Sequence, residues 1–382
     1  MNKKGGRVKK PDCSDGRGLG RDGAKRLFSL DALRGLDMLF LCVVQPLVMT
    51  AAKGWGFADR TAHPFMRQFA HFWGGFTAYD LIMPLFIFMC GAAVPFALTK
   101  RLDAEGRPTA AFWRHVAWRI VLLWALGMVC QGRLLACDPA HFVYYSNTLQ
   151  SIAAGYLIAA LVLLIRRPAV RVAVPFALAG AYGLLLHFGG DYSVQGNLAM
   201  KVDMAFVRLL QPCGHDTGTY TWYLTSLMFG AMTLCGLESS LVLRSERTPW
   251  RKAAALGIIG TALVAGGLLL EWAGVPCIKH IFTVSFTAQA MGVSVLLLAA
   301  LYVVTDIWNL RRGWWLVTLY GQVALAAYLL GERFRVVFDT ASSTVLGGLA
   351  GQLGGPWKGF VLELGVVAIL TACLAVWRRR KV

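Results

Sequence analysis

Ten predominantly apolar stretches, each roughly 17–25 residues long and so of membrane-spanning length, follow one another along this chain. They fall at 33–52, 77–99, 116–136, 148–165, 170–188, 222–243, 253–272, 281–304, 314–331 and 358–377. No single folded sphere hides that much apolar surface. The composition agrees: over 382 residues, 57% are hydrophobic and 15% charged, with a mean hydropathy of +0.56. Soluble domains carry about 25% charged residues. The abundance of apolar side chains excludes a disordered chain and argues against a soluble enzyme. The expected fold class is all-α: a polytopic integral membrane bundle of about ten transmembrane helices, in contact with the lipid bilayer.

The net charge of +18 invites a nucleic-acid reading, but no soluble basic face exists to carry it, so no nucleic-acid partner is expected. The charge follows topology instead. Threading the spans with the N-terminus inside puts 1–29, 100–115, 166–171, 244–252, 305–313 and 378–382 in the cytoplasm. Those segments, with Arg119 at a helix edge, hold 27 of the 38 Lys and Arg; the outer loops hold ten, and Arg34 lies within the first span. The bias places both the N- and C-termini in the cytoplasm.

Residues 1–29 read as a basic cytoplasmic tail without fixed structure, held near anionic lipid, and 30–382 as one transmembrane domain. The tail also imitates a signal-peptide n-region. The apolar stretch after it is longer than such a signal needs and contains Asp31, Arg34 and Asp37, so it reads as a retained helix. The nine cysteines show no CxxC or Cys/His spacing, and no metal is expected. Cys137 and Cys213 fall in expected outer loops, where a disulfide is one of the open readings.

Two outer segments are long, 53–76 and 189–221, and 332–357 reads as a third, irregular one. Within the last, Gly347, Gly351 and Gly355 recur every four residues. Such spacing suits close helix approach, so a homodimer contact, a re-entrant segment and internal packing all remain open. The chain shows no internal repeat, which weakens an inverted-repeat transporter reading.

Ionisable groups are costly in hydrocarbon, by about 2.5–3.5 kcal/mol on the insertion scale, so each one there marks a function or a structural pair. Asp31, Arg34 and Asp37 share one face of the first helix. They make either a structural ion cluster or a site for an anionic ligand, with Gly35 beside Arg34 permitting close backbone approach. The segment His71-Phe-Trp-Gly-Gly-Phe-Thr-Ala-Tyr-Asp-Leu-Ile-Met-Pro84 is the most informative. His71 just precedes the second helix, with Trp73, Thr77 and Asp80 close behind, and Pro84 is expected to kink the helix and free carbonyls. A lone interfacial histidine is usually structural, but these neighbours favour a site, since imidazole is suited to take a proton near neutral pH. Gln45, Gln131, Asn147, Gln150, Lys279, Ser285 and Glu332 gather at the same outer level, and Arg119 at the inner end of the third helix.

Several motifs together resemble one family: Ser29-Leu-Asp-Ala-Leu-Arg-Gly35, the His71–Pro84 segment with Leu-Phe-Ile-Phe-Met-Cys-Gly91 after it, Asn147-Thr-Leu-Gln150, and the stretch from Lys279 to Ser285. The chain resembles, over about residues 26–335, the transmembrane N-acetyltransferases related to heparan-alpha-glucosaminide N-acetyltransferase, and more closely their bacterial relatives. The resemblance implies a multi-pass protein of the bacterial inner membrane. It implies acetyl-CoA as donor, entering from the cytoplasm, and a glycan or amino-sugar acceptor on the far side. His71 matches the family's catalytic histidine, Gln45 stands where an assisting Asn stands, and Arg34 and Arg119 match its basic residues. His71 lies two residues before Trp73, where the family typically has three, and His63 is the alternative. Val323 stands where an Asn is usual, and Glu332-Arg333 replaces a His-Glu pair.

The resulting expectation is an acetyltransferase with His71 as base, Gln45 and Asp80 assisting, Trp73, Thr77, Asn147, Gln150, Lys279 and Ser285 around the acceptor, and Asp31, Arg34, Gly35 and Arg119 holding coenzyme A. The alternatives are a transporter or flippase for an anionic small molecule or lipid-linked glycan, and a structural scaffold.

Overall fold

In hydrocarbon every backbone N–H and C=O must be satisfied within the chain, so an apolar span without a sheet partner becomes a helix. The computed structural model follows that rule. It describes residues 27–57, 59, 63–132, 144–210, 219–353, 355 and 357–379, and among these no strand occurs, only an isolated bridge between Leu102 and Pro108. The tail expected over 1–29 lies outside the described residues up to residue 26; the first helix begins at Phe28. Arg133, Cys137 and Cys213, with the disulfide reading, also lie outside them.

The helices are α1 Phe28–Leu39, α2 Gln45–Gly54, α3 Pro64–Arg67, α4 Ile82–Leu98, α5 Ala110–Gln131, α6 Thr148–Leu163, α7 Pro168–Gly189 and α8 Leu198–Leu210. After them come α9 Ser226–Arg244, α10 Pro249–Trp272, α11 Val284–Tyr302, α12 Trp315–Gln322, α13 Ala324–Tyr328, α14 Arg335–Leu353 and α15 Trp357–Arg379. A π-turn over Phe40–Val44 joins α1 to α2 without a break, and others over Val303–Ile307 and Leu329–Arg333 extend α11 and α13. Among the described residues each of the ten apolar stretches falls largely on a helix. Seven are long and apolar enough to cross a membrane: Phe28–Gly54, Ala78–Arg101, Pro168–Gly189, Ser226–Arg244, Pro249–Trp272, Val284–Ile307 and Trp357–Arg379. The chain is a multi-pass membrane protein. Helix α6 is shorter, α5 carries Arg114, His115 and Arg119, and α12 gives way to α13 at Val323.

One expectation for the connections needs correction. The segment 332–357 is not irregular: the 19-residue helix α14 fills most of it and packs on α15, where Ser342 Oγ donates to Leu362 O at 2.6 Å. A Cβ added at Gly347 or Gly351 would meet nothing within 4 Å, so their spacing serves no packing among the described residues, and Gly355 lies beyond the helix at φ +41. The segment 189–221 holds the amphipathic helix α8, with Ala199, Met200, Asp203 and Val207 buried and Lys201, Arg208 and Leu209 exposed.

Helix pairing uses small residues where backbones cross. A Cβ on Gly35 would collide with the carbonyl of Val317, and one on Gly321 with that of Asp31, so the two glycines seat α1 against α12. Gly91 and Gly236 do the same for α4 and α9, against Thr233 and Phe88. Pro84 sits in the first turn of α4, directly after a 3-10 turn over Ala78–Leu81. The proline inside that helix is Pro95, whose carbonyl accepts from Arg244 Nη1 at 3.0 Å. One end of the bundle thus carries Phe28, Arg101 and Arg244 (the basic end), and the other carries residues 63–81, 219–225 and 275–283 (the histidine end).

Candidate active site

Three irregular segments meet at the histidine end. The first, 68–81, is folded by its own side chains. Thr77 opens the 3-10 turn and makes a capping box with Asp80: Thr77 N and Oγ1 both donate to Asp80 Oδ2, at 3.1 and 2.8 Å. Gln68 accepts Tyr79 N through its carbonyl at 2.9 Å and Ala78 N through its side chain at 3.0 Å. The second segment, 275–283, is joined to the first by Gly75 N donating to Cys277 O at 2.8 Å; the φ of +98 at Gly75 explains a glycine there. Ser285 Oγ, in the first turn of α11, donates back to Pro276 O at 2.8 Å, and Phe282, fully buried, is held in the left-handed region at φ 44. The third segment, 219–225, follows α8: Thr221 N donates to His280 O at 3.2 Å, and Asp203 of α8 accepts Trp222 N at 2.5 Å and Tyr223 N at 3.1 Å.

These ties converge on one cluster. Asp80 is fully buried, and its Oδ1 lies 2.6 Å from His71 Nδ1 and 3.4 Å from Lys279 Nζ. A buried carboxylate accepts, so Nδ1 carries the proton and, in the neutral imidazole, the lone pair is on Nε2. The His71 side chain remains 32% exposed, enough for a reactant to reach it. Lys279, only 4% exposed, has Nζ at 3.2 Å from His71 Nδ1 and 3.3 Å from Nε2. A point almost equidistant from both ring nitrogens at that range lies over the ring face, because an in-plane position would strike Cε1. Burial pushes the Lys279 ammonium down to about 8, with Asp80 opposing the shift. Tyr79 stacks on His71 at 4.4 Å. Trp73, His280 and Tyr220 form an adjoining stack, with centroid distances of 5.2 and 4.3 Å. Burial and the nearby charges of His71 and Lys279 take His280 down to about 4, so it is neutral at pH 7. A shallow cavity of about 190 Å³ lies behind this segment, lined by Arg67, Gln68, Phe72 and Thr77 among others. That volume suits a small polar group, not a whole coenzyme.

His71, Trp73, Thr77, Asp80 and Lys279 are therefore brought together. His63 is not among them: its ring accepts Phe65 N at 3.3 Å and caps α3. Gln45 is half-buried on the face of α2 that also carries Met49 and Ala52, which pack on Met66 and Phe69; it makes no hydrogen bond with His71. Asn147 caps α6 through Leu149 N at 2.8 Å. Gln150 is fully buried, accepting from Ser146 N and Gln131 Nε2 and donating to Tyr144 O. Ser285 is likewise spent on the loop before it. Tyr79, Tyr220 and Asp203 belong to the site region without having been singled out in the sequence. The Tyr79 ring next to the Thr77–Asp80 box was the one local signal.

The expected coenzyme residues lie toward the basic end. Asp31 Oδ1 accepts from Arg34 Nη1 at 3.4 Å, while Asp37 is buried apart from them with no protein partner at Oδ2. Gly35 is occupied by the α12 crossing. Arg119 is not at a helix end: Thr109 caps α5 at its start, so the helix begins two turns earlier than the hydropathy suggested and Arg119 falls well inside it. Its Nη2 is 3.9 Å from Cys90 Sγ and its guanidinium 4.8 Å over the Tyr156 ring. Arg119 Nε, Tyr156 Oη and His115 Nε2 are all buried without a protein partner. Cys90 of α4 lies ten residues after Asp80 of the preceding 3-10 turn, about 15 Å at helical rise. Among the described residues no three His, Cys, Asp or Glu side chains gather as a metal site.

Residues 26–162 match a domain of unknown function, DUF5009. A stretch of 146 residues is 26% identical to human heparan-alpha-glucosaminide N-acetyltransferase, covering 37% of this chain and 20% of that protein. The chain is related to that family, distantly and in part. The matched domain takes in His71, Asp80 and Arg119, whereas Lys279 lies outside it. The chain spans about a fifth of the length of the human relative.

Proposed function

We propose that this protein is a membrane acetyltransferase that takes acetyl groups from cytoplasmic acetyl-CoA and passes them to an acceptor across a bacterial inner membrane, the acceptor being an amino sugar or another glycan. The observation that carries this reading is the 2.6 Å contact between His71 Nδ1 and Asp80 Oδ1, at the end of a bundle distantly related to an acetyltransferase. With Asp80 holding Nδ1–H, Nε2 is the ring nitrogen left to act as a base. Thr77 fixes Asp80, and Trp73 offers a flat face to a sugar ring. Gln45 donates to the thioester carbonyl once the donor is bound. Arg34 and Arg119 take the coenzyme phosphates, and the unpartnered Nε of Arg119 and Oη of Tyr156 suit an acceptor-rich ligand. Asn147, Gln150 and Ser285 hold the walls. Both cytoplasmic termini and homodimer formation remain part of the proposal.

Purified protein incubated with labelled acetyl-CoA and a set of amino sugars tests it. The wild type transfers label, and His71→Ala loses transfer by at least about 10³-fold while binding coenzyme A within threefold. Turnover retained in that variant retires the assignment. The Asp37 carboxyl, buried in the bundle with no protein partner at Oδ2, favours a second reading as a transporter. Uptake into proteoliposomes without acetyl transfer decides for that one.

A further inference from the structure

Lys279 sits where no simple structural duty explains it. A lysine paired only for stability gains nothing from 4% exposure, and a buried ion pair seldom returns its desolvation cost. Its ammonium has three N–H donors. Asp80 Oδ1 takes one at 3.4 Å, and the contacts to His71 run across the ring face, not along a lone pair. Two donors are thus uncommitted to any carboxylate among the described residues, 3.3 Å from the atom that would accept the nucleophile's proton. The loop that carries Lys279 is held by its backbone: Phe282 in its left-handed conformation donates N–H to Lys279 O at 2.9 Å, and Gly75 ties the same loop to the His71 segment.

We propose that Lys279 is a catalytic residue of the acyl-transfer step, donating a hydrogen bond to the acyl carbonyl oxygen as it becomes an oxyanion. This rests on the acetyltransferase reading above. The acceptor's N or O attacks the thioester carbon, its proton passes to His71 Nε2, and the carbonyl electron pair moves onto the oxygen facing Lys279. Collapse re-forms the carbonyl and breaks the C–S bond. The leaving thiolate takes the proton from His71 and departs as the thiol. A buried ammonium held in place beside the reacting imidazole is the kind of preorganised donor that lowers such a barrier.

The groups in contact with Lys279 are His71, Tyr79 and Asp80 from the first segment; the other titratable groups on the segments that meet there are Tyr220 from the third and Cys277 and His280 from its own. Of the shifts resolved among them, His280 lies near 4 and Cys277 near 12, and Tyr220 is raised by burial. Lys279, near 8, is the group placed to shape the alkaline limb.

The test is the pH profile of kcat with acetyl-CoA for wild type, Lys279→Arg and Lys279→Met, each checked for monodisperse elution in detergent. Wild-type kcat should fall above about pH 8. Lys279→Arg, always charged, should keep at least a tenth of the activity and move that limb up by more than one pH unit. Lys279→Met should lose about 10²- to 10³-fold in kcat, with the KM for acetyl-CoA within threefold. An unmoved limb in Lys279→Arg overturns the proposal alone, even if Lys279→Met fails to fold. A wild type that transfers nothing overturns it together with the reading beneath it.

Discussion

Around His71 the carboxylate is fully engaged: Asp80 receives His71, Lys279 and Thr77, and loop hydrogen bonds hold each segment in place, with His280 Nδ1 and Trp222 Nε1 the buried atoms there that lack a protein partner. About 15 Å along the 3-10 turn and α4, the Arg119 region is the reverse, with Nε, the Tyr156 hydroxyl and the His115 ring nitrogen all buried and lacking protein partners. A buried polar group left unmade costs about 1–3 kcal/mol. The first region is therefore built to act as it stands, and the second is built to be completed by something that brings acceptors. A chemical end that is preorganised and a binding end that is under-satisfied are what a transfer reaction along one bundle requires.

The sharpest way to break this contrast is at Asp80. Asp80→Asn keeps the shape but cannot hold the Nδ1–H tautomer, so kcat should fall by about 10²- to 10⁴-fold with the KM for acetyl-CoA little changed. Steady-state kinetics would show it, and a rise in KM at constant kcat would put Asp80 in binding instead.

At the other region the effect should be smaller and of the opposite kind. Arg119→Ala should raise the KM for acetyl-CoA by about 10- to 100-fold, the worth of a charge-assisted contact, and spare kcat within a few-fold. Tyr156→Phe removes a hydroxyl without a protein partner. It should raise the melting temperature of the free protein while weakening coenzyme A binding by about threefold to tenfold, as read by thermal melts and calorimetry. A clear loss of free-protein stability in Tyr156→Phe would show that the hydroxyl already has its partner.

The mildest expected effect is structural. Asp203→Ala strips two backbone N–H groups of the 219–225 segment of their acceptor. It should cost about 1–3 kcal/mol of stability, read as a lower melting temperature in detergent.

Much of the bundle is legible in the sequence because lipid permits so few solutions: each apolar stretch became helical, and the Thr77–Asp80 spacing is a capping box readable on sight. Asn147 and Gln150 show the limit of polarity as a guide. They looked like a pocket, yet their spacing is also that of a cap, and the fold uses both. Helix α14 was missed because its Thr, Ser and Gly residues dilute the apolar signal without preventing a helix. Lys279 stands 208 residues from His71, so its position across the imidazole face follows from three loops meeting, not from any local pattern. Arg119 was misplaced because hydropathy marks where a helix turns apolar, whereas Thr109 marks where it starts.

The most direct test of the central claim is a cryo-EM map of the protein with coenzyme A bound. The account predicts the pyrophosphate beside Arg119 and Tyr156 and the thiol within reach of His71 Nε2, the arm between them running alongside α4. A map with the coenzyme on the bundle's surface, or with its thiol far from His71, would contradict it.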